Sequence, residues 1–152
     1  MTTVLREARE ADLPAAAELW IQMFEEIGTY SEADFSPEWR QRFCSYFARR
    51  IAAEEARYFV ADAEGRVVAA AAAIVRDGYP LTINGRQTGY ILGVSVSPAF
   101  RRRGIAKELM RHCIEWLQSI GCKRIRLHAS PAARRLYESL GFVSSSEMEL
   151  LG

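Results

Sequence analysis

Residues 90–107 read YILGVSVSPAFRRRGIAK. Apolar residues alternate at Tyr90, Leu92, Val94 and Val96, then Ser97-Pro98 ends the alternation. A helical pattern follows Arg101, Arg102, Arg103, Gly104, Ile105, Ala106 and Lys107. A strand that turns tightly into a helix start makes an anion site. The first amides of a helix have no intrahelical partner, the helix dipole favours negative charge there, and phosphates settle on such ends. Gly104 lets the backbone come close to a ligand and Ala106 keeps the first turn free of bulk. The arginines add forked donors that suit phosphate oxygens. The plainer alternative is a solvated basic turn that caps a helix.

Spacing excludes two other glycine-bearing phosphate turns. Neither G-x-G-x-x-G nor G-x-x-x-x-G-K-[ST] is present. Nothing has metal-ligand spacing: the histidines, His112 and His128, fall on separate elements, and Cys44, Cys113 and Cys122 are dispersed. No Ser-His-Asp arrangement is readable. The cysteine count is odd and lacks C-x-x-C, the N-terminus MTTVLREARE has no apolar signal core, and no apolar run approaches a membrane span. Reduced thiols in a cytoplasmic protein are therefore expected, with Cys113 packed on the buried face of a helix. A net charge of +1 gives no support for nucleic acid or an anionic membrane as partner. The basic turn also lacks the interleaved aromatics of a nucleic-acid binder.

These residues need elements to position them. The chain, 152 residues with 49% hydrophobic and 26% charged, suits one globular domain over residues 1–152. Residues 4–8 predict a strand. Asp12 as cap and Pro14 in the first turn start a helix with the stripe Leu13, Ala16, Ala17, Trp20, Ile21 and Phe24, ended by Gly28. Ser36 as cap and Pro37 as first residue start another, carrying Trp39, Phe43, Phe47 and Ile51 to about residue 56. Residues 57–61 and 66–76 predict a hairpin, although Ala69 to Ala73 favour helix by propensity. After the central strand and the basic turn, a helix buries Ile105, Leu109, Cys113, Trp116, Leu117 and Ile120 and is capped by Gly121. Residues 123–128 predict a strand, Ser130-Pro131 opens a helix that ends at Gly141, and residues 142–150 predict a terminal strand. The expected class is mixed α/β, with a right-handed parallel crossover from the strand at Tyr90 to the one ending at His128.

Arg101-x-x-Gly104-x-Ala106 resembles the [Q/R]-x-x-G-x-[G/A] signature of the GCN5-related N-acetyltransferases (GNAT). A second segment, from Ala133 through Leu136, Tyr137, Glu138, Leu140 and Gly141 to Phe142, resembles that family's A-x-x-L-Y-E-x-L-G-F. The close match covers residues 88–143. The resemblance implies a single-domain GNAT-like fold whose mixed sheet is splayed between its fourth and fifth strands, with helices on both faces. It implies acetyl-CoA as cosubstrate, no metal, and an amine acceptor taken by direct attack on the thioester. The backbone at Val94, Ser95 and Val96 would hold the pantetheine arm as an added strand, and the amides of residues 102–107 the pyrophosphate. Tyr137 would protonate the departing thiolate, a task that suits a phenol neutral at pH 7; its other reading is a core aromatic. Ser130 stands where many relatives have asparagine, and caps a helix or touches CoA as well. His128 is the candidate base, with a structural histidine as the rival reading. Glu25, Glu26, Glu32 and Asp34 lie around the loop that borders the acceptor pocket in the family. The rival function is a non-catalytic acyl-CoA sensor of the same fold, and a homodimer is left open.

Overall fold

Alanine is the best helix former, yet the run Ala69 to Ala73 forms the middle of a strand. In the computed structural model, which describes residues 2–152, the elements are β1 (Val4–Glu7), α1 (Leu13–Ile27), α2 (Trp39–Ala52), β2 (Ala56–Ala63), β3 (Arg66–Arg76), β4 (Gln87–Val96), α3 (Ile105–Ser119), β5 (Cys122–Arg126) and α4 (Arg134–Ser139). The strands form one sheet in chain order, antiparallel from β1 to β4 and parallel between β4 and β5. Tertiary context overrides propensity in β3. It pairs on both edges, and Glu64 and Gly65, both at positive φ (52° and 89°), make the tight turn that folds it back on β2.

The alternation of β3 splits the core in two. Ala69, Ala71 and Ala73 join Leu109, Met110, Cys113 and Leu117 of α3 on one face. Ala70 and Ala72 join Leu13, Ala16 and Ala17 of α1 and Phe43 and Phe47 of α2 on the other. All five alanines are fully buried, and their small side chains let helices on both faces lie close to the sheet.

Pairing of β4 with β5 is short. It runs from Gln87↔Cys122 to Tyr90↔Arg126 and stops, while β4 continues to Val96. β5 itself ends there at Arg126, so residues 91–96 of β4 have no strand partner on that edge, the place where the splay is expected.

Several local expectations shift. Asp12 does not cap α1 with its side chain; its carboxylate is taken by the Arg6 guanidinium (2.8 and 3.1 Å) and the Arg9 amide (2.7 Å). Ser36 contributes its carbonyl, accepting from the Trp39 amide, so residues 36–38 form a turn and α2 starts at Trp39. β5 ends at Arg126, two residues before His128. Residues 142–150 form no strand. Ser144 to Ser146 interrupt the apolar alternation, and Val143, Met148 and Leu150 lie exposed with no apolar face to cover them.

Candidate active site

After β4 the chain makes a 3-10 turn, Pro98–Phe100, and a bend through residues 101–104 before α3 begins at Ile105. Phe100 and Ile105 are buried and pin the turn at both ends. Arg102 and Gly104 both have positive φ, 63° and 76°. Gly104 is the N-cap, and no side chain caps the helix, so the first amides of α3, from Ile105 through Ala106 and Lys107, face outward without a side-chain partner. A Cβ at Gly104 would meet no atom within 4 Å. The space in front of the helix start is open.

The three arginines divide their roles. Arg101 does not project from the turn: its Nε donates to the Val96 carbonyl (3.0 Å) and its Nη2 to both carboxylate oxygens of Glu26 (2.8 Å each). It staples the turn to the end of β4 and to the last turn of α1. The Arg103 guanidinium lies over the Phe100 ring at 5.0 Å. Arg102 is exposed beside the open space.

Just before the turn, β4 bulges. Ala70 pairs with Ser95 and Ala72 with Leu92, so β4 carries one extra residue where β3 carries one. Gly93 absorbs the irregularity at φ 65°. An ideal Cβ on Gly93 would lie 2.9 Å from the Tyr58 hydroxyl and 3.5 Å from Trp20 Cδ1. Glycine is thus needed twice, for its backbone conformation and for the space it leaves. The Ser95 hydroxyl donates to the Gly93 carbonyl (3.2 Å) inside the bulge. Val94 and Val96 are half-buried and pack toward α3. Beyond Tyr90 the β4 backbone has no β5 partner, which leaves the Val94–Val96 stretch open to an added strand. In the sequence the only signal for Gly93 is a glycine inside a strand pattern.

The other side of the opening carries Tyr137 and His128. Both line a cleft of about 1100 Å³ formed by β5, α4 and residues 142–149. Tyr137 is buried, which pushes its phenol above the ordinary value. His128 is exposed and meets the Tyr90 ring at 5.8 Å and 70°, so it sits across the gap from β4, while Leu127 packs into the core on the α3 face. Ser130 acts through its carbonyl, which accepts from the Ala133 and Arg134 amides (3.1 Å each). The helix that follows starts at Arg134, with no side-chain cap.

The acids around the first helix loop are largely engaged. Glu26 binds Arg101, Glu32 binds Arg40 and accepts from Trp39 Nε1, and Asp34 accepts from the Ser31 amide (2.8 Å). Glu25 is exposed. Behind the loop, the Trp20 ring stands 5.0 to 5.7 Å from Phe24, Phe43, Phe35 and Trp39, an aromatic wall that reaches the bulge through Trp20. His112 is half-buried against Phe59 (5.5 Å). Cys113 is fully buried, which pushes its thiol up and leaves it a packing residue.

The chain is similar to known proteins in sequence and in fold. Over 94 residues the chain is 33% identical to a glucosamine 6-phosphate N-acetyltransferase of Trypanosoma brucei brucei, covering 62% of this chain and 63% of that protein. Over 95 residues it is 28% identical to an aminoglycoside N(6')-acetyltransferase type 1 of Salmonella typhimurium, covering 60% and 66%. Both matches span just under two thirds of the relative's own length. A predicted acetyltransferase of Clostridium acetobutylicum, solved with acetyl-CoA, shares the fold with a TM-score of 0.86 at 21% identity, over 99% of this chain and 96% of that one. The model of the acetyltransferase (GNAT) family matches residues 17–142. With that match taking in the bulged strand, the glycine turn and the tyrosine helix together, the chain belongs to the acetyltransferase (GNAT) family.

Proposed function

We propose that the protein transfers an acetyl group from acetyl-CoA to the amine of a small molecule. The observation that carries this reading is the opening where β4 leaves β5 at Tyr90, with the uncapped start of α3 at one end and Tyr137 and His128 at its border. The amides of Arg102 to Lys107 hold the pyrophosphate, the β4 backbone at Val94, Ser95 and Val96 holds the pantetheine arm, and Ser130 touches CoA as well. Arg101 keeps the turn in place through Val96 and Glu26.

The amine attacks the thioester carbonyl, a C–N bond forms, and the carbonyl pair moves onto oxygen. The amide of Val94 or Ser95 donates to that oxyanion. Collapse of the intermediate breaks the C–S bond, and the thiolate takes the Tyr137 proton, which burial keeps in place at neutral pH. The amine's own proton leaves to His128, directly or through water. Amino sugars head the acceptor panel, because both named relatives act on them by name. The proposal includes a cytoplasmic location, suited to three free cysteines, and a homodimer that covers the exposed Val143, Met148, Leu150 and Leu151, read by sedimentation.

The test is thiol release from acetyl-CoA over a panel of amines, followed by mass measurement of the acceptor. An acetylated amine is expected. A CoA-dependent melting shift with no amine acetylated would make the chain a sensor instead.

A further inference from the structure

Acetyl transfer as described leaves one set of charges unused. Arg76 pairs with Thr88 across β3 and β4, and Thr88 with Arg124 across β4 and β5. In the next row Tyr90 pairs with Arg126. Residues in register share a face, so Arg76, Arg124 and Arg126 stand on one side of the sheet. That side is the α1–α2 face, since Tyr90 packs against the cluster there. The three guanidinium groups line a single depression of about 180 Å³. The same three arginines and Tyr90 also border the cleft that holds His128 and Tyr137, so the depression opens into the candidate active site.

The three arginines share the depression with two acids, Asp77 and Glu147, so positive charge is in excess by one. Arg126 pairs with Glu147 at 3.0 Å. The Arg76 guanidinium lies over the Tyr90 ring at 4.5 Å. Neither Arg76 nor Arg124 has a carboxylate at ion-pair distance among the described residues. Like charges side by side on a sheet face repel, and forked donors are the side chains that grip phosphate oxygens in two places. The Thr88 hydroxyl, buried between the rows, donates to the Arg76 carbonyl and fixes the β3 end of the set. The acids that would attract a polycation, Glu26, Glu32 and Asp34, are meanwhile engaged by Arg101, Arg40 and Ser31.

Position supports a role toward the acceptor. Arg126 lies two residues before His128, and the Thr88 row that carries Arg76 and Arg124 lies two residues before Tyr90, where the opening begins; each is roughly 7 Å along an extended chain, with Val94 about 20 Å from that row. A group bound by the arginines would stand one small-molecule length from the opening.

We propose that Arg76, Arg124 and Arg126 form an anion subsite of the acceptor pocket, which selects amines that carry a phosphate monoester. Glu147 serves as the resident carboxylate that the phosphate displaces from Arg126. This deepens the acetyltransferase reading and rests on it for the acceptor's identity as an amine.

The experiment titrates glucosamine 6-phosphate and glucosamine, matched apart from the phosphate, into the CoA-loaded protein by calorimetry. The same pair is then assayed for acetylation. The phosphorylated sugar should bind about tenfold or more tightly, the scale of one charge-assisted contact. The double variant Arg76→Gln/Arg124→Gln should erase that preference while acetyl-CoA affinity and melting temperature stay. Glu147→Gln should strengthen it. Equal binding of the two sugars, binding of neither, or a preference that survives in the double variant overturns the subsite. So does a loss of acetyl-CoA affinity in that variant, which would assign the arginines to the cosubstrate. Calorimetry reads the subsite without turnover, whereas the acetyltransferase reading fails only if no amine at all is acetylated.

Discussion

Replacing Gly93 by alanine tests whether the bulge in β4 is as constrained as its geometry implies. The residue sits at φ 65°, where an L side chain costs about 1–2 kcal/mol. The added methyl would also lie 2.9 Å from the Tyr58 hydroxyl. Tyr58 is fully buried and ringed by Phe43 and Phe47 at 6.1 and 4.9 Å, so it has little room to yield, and overpacking of this kind costs about 1–3 kcal/mol. Together Gly93→Ala should destabilise by about 2–5 kcal/mol, which for a domain of this size lowers the melting temperature by roughly 4–20 °C. The two contributions separate in a double-mutant cycle with Tyr58→Phe. The Tyr58 hydroxyl is buried without a hydrogen-bond partner, and leaving such a group unsatisfied costs about 1–3 kcal/mol. Tyr58→Phe alone should therefore be neutral or stabilising, and should relieve about half the cost of Gly93→Ala while the backbone strain remains. The assay is denaturant unfolding of the four proteins. A Gly93→Ala cost below about 0.5 kcal/mol, within the range of ordinary surface changes, would refute the reasoning.

Three further outcomes follow from the same geometry. Tyr137→Phe keeps the ring and removes the proton, so turnover should fall by about 10²-fold or more with acetyl-CoA affinity nearly preserved; an unchanged rate where chemistry limits turnover would make Tyr137 a core residue only. His128→Gln should lower turnover with acetyl-CoA affinity kept, and full activity in the variant would place the base elsewhere. Asp12→Asn should cost about 1.5–3 kcal/mol, the worth of hydrogen bonds to a charged group. The hydrogen bond from Arg6, ahead of the opposing effect of burial, holds the Asp12 carboxyl below its ordinary value in the folded state. Its stabilisation is therefore full above the unfolded carboxylate range and fades as pH falls through the lower, folded value, so Asp12→Asn should flatten the acid limb of a stability profile, and an unaltered limb would contradict the role.

What the sequence made legible was what depends on near neighbours. The turn from Arg101 to Ala106 is local backbone chemistry, and its open, uncapped helix start matches the reading made from glycine and spacing. Leu127 packs against the α3-face core while its neighbour His128 is exposed, as alternation along a strand implies. The alanine strand was readable from its flanks, Val67-Val68 and Ile74-Val75, and the turns that bound it. Long-range partners were not readable. The contact of Gly93 with Tyr58 joins β4 to β2, and Arg101 reaches Glu26 across 75 residues. The row Arg76, Thr88, Arg124 exists only once two registers are fixed. The expected strand at residues 142–150 has the right alternation near Met148 and Leu150, but alternation makes a strand only where a sheet edge and an apolar face receive it.

Acetyl transfer from acetyl-CoA is tested by the rate at which thiol is released with an acetylated amine formed, for the wild type beside Gly104→Glu. The substitution puts bulk and negative charge into the open space before α3, where a Cβ would meet nothing within 4 Å beyond its own chain neighbours. The account predicts turnover by the wild type, and in Gly104→Glu a folded protein, shown by its melting curve, with acetyl-CoA binding and turnover lost. Equal rates in the two proteins, or no acetylated amine from the wild type, would contradict it.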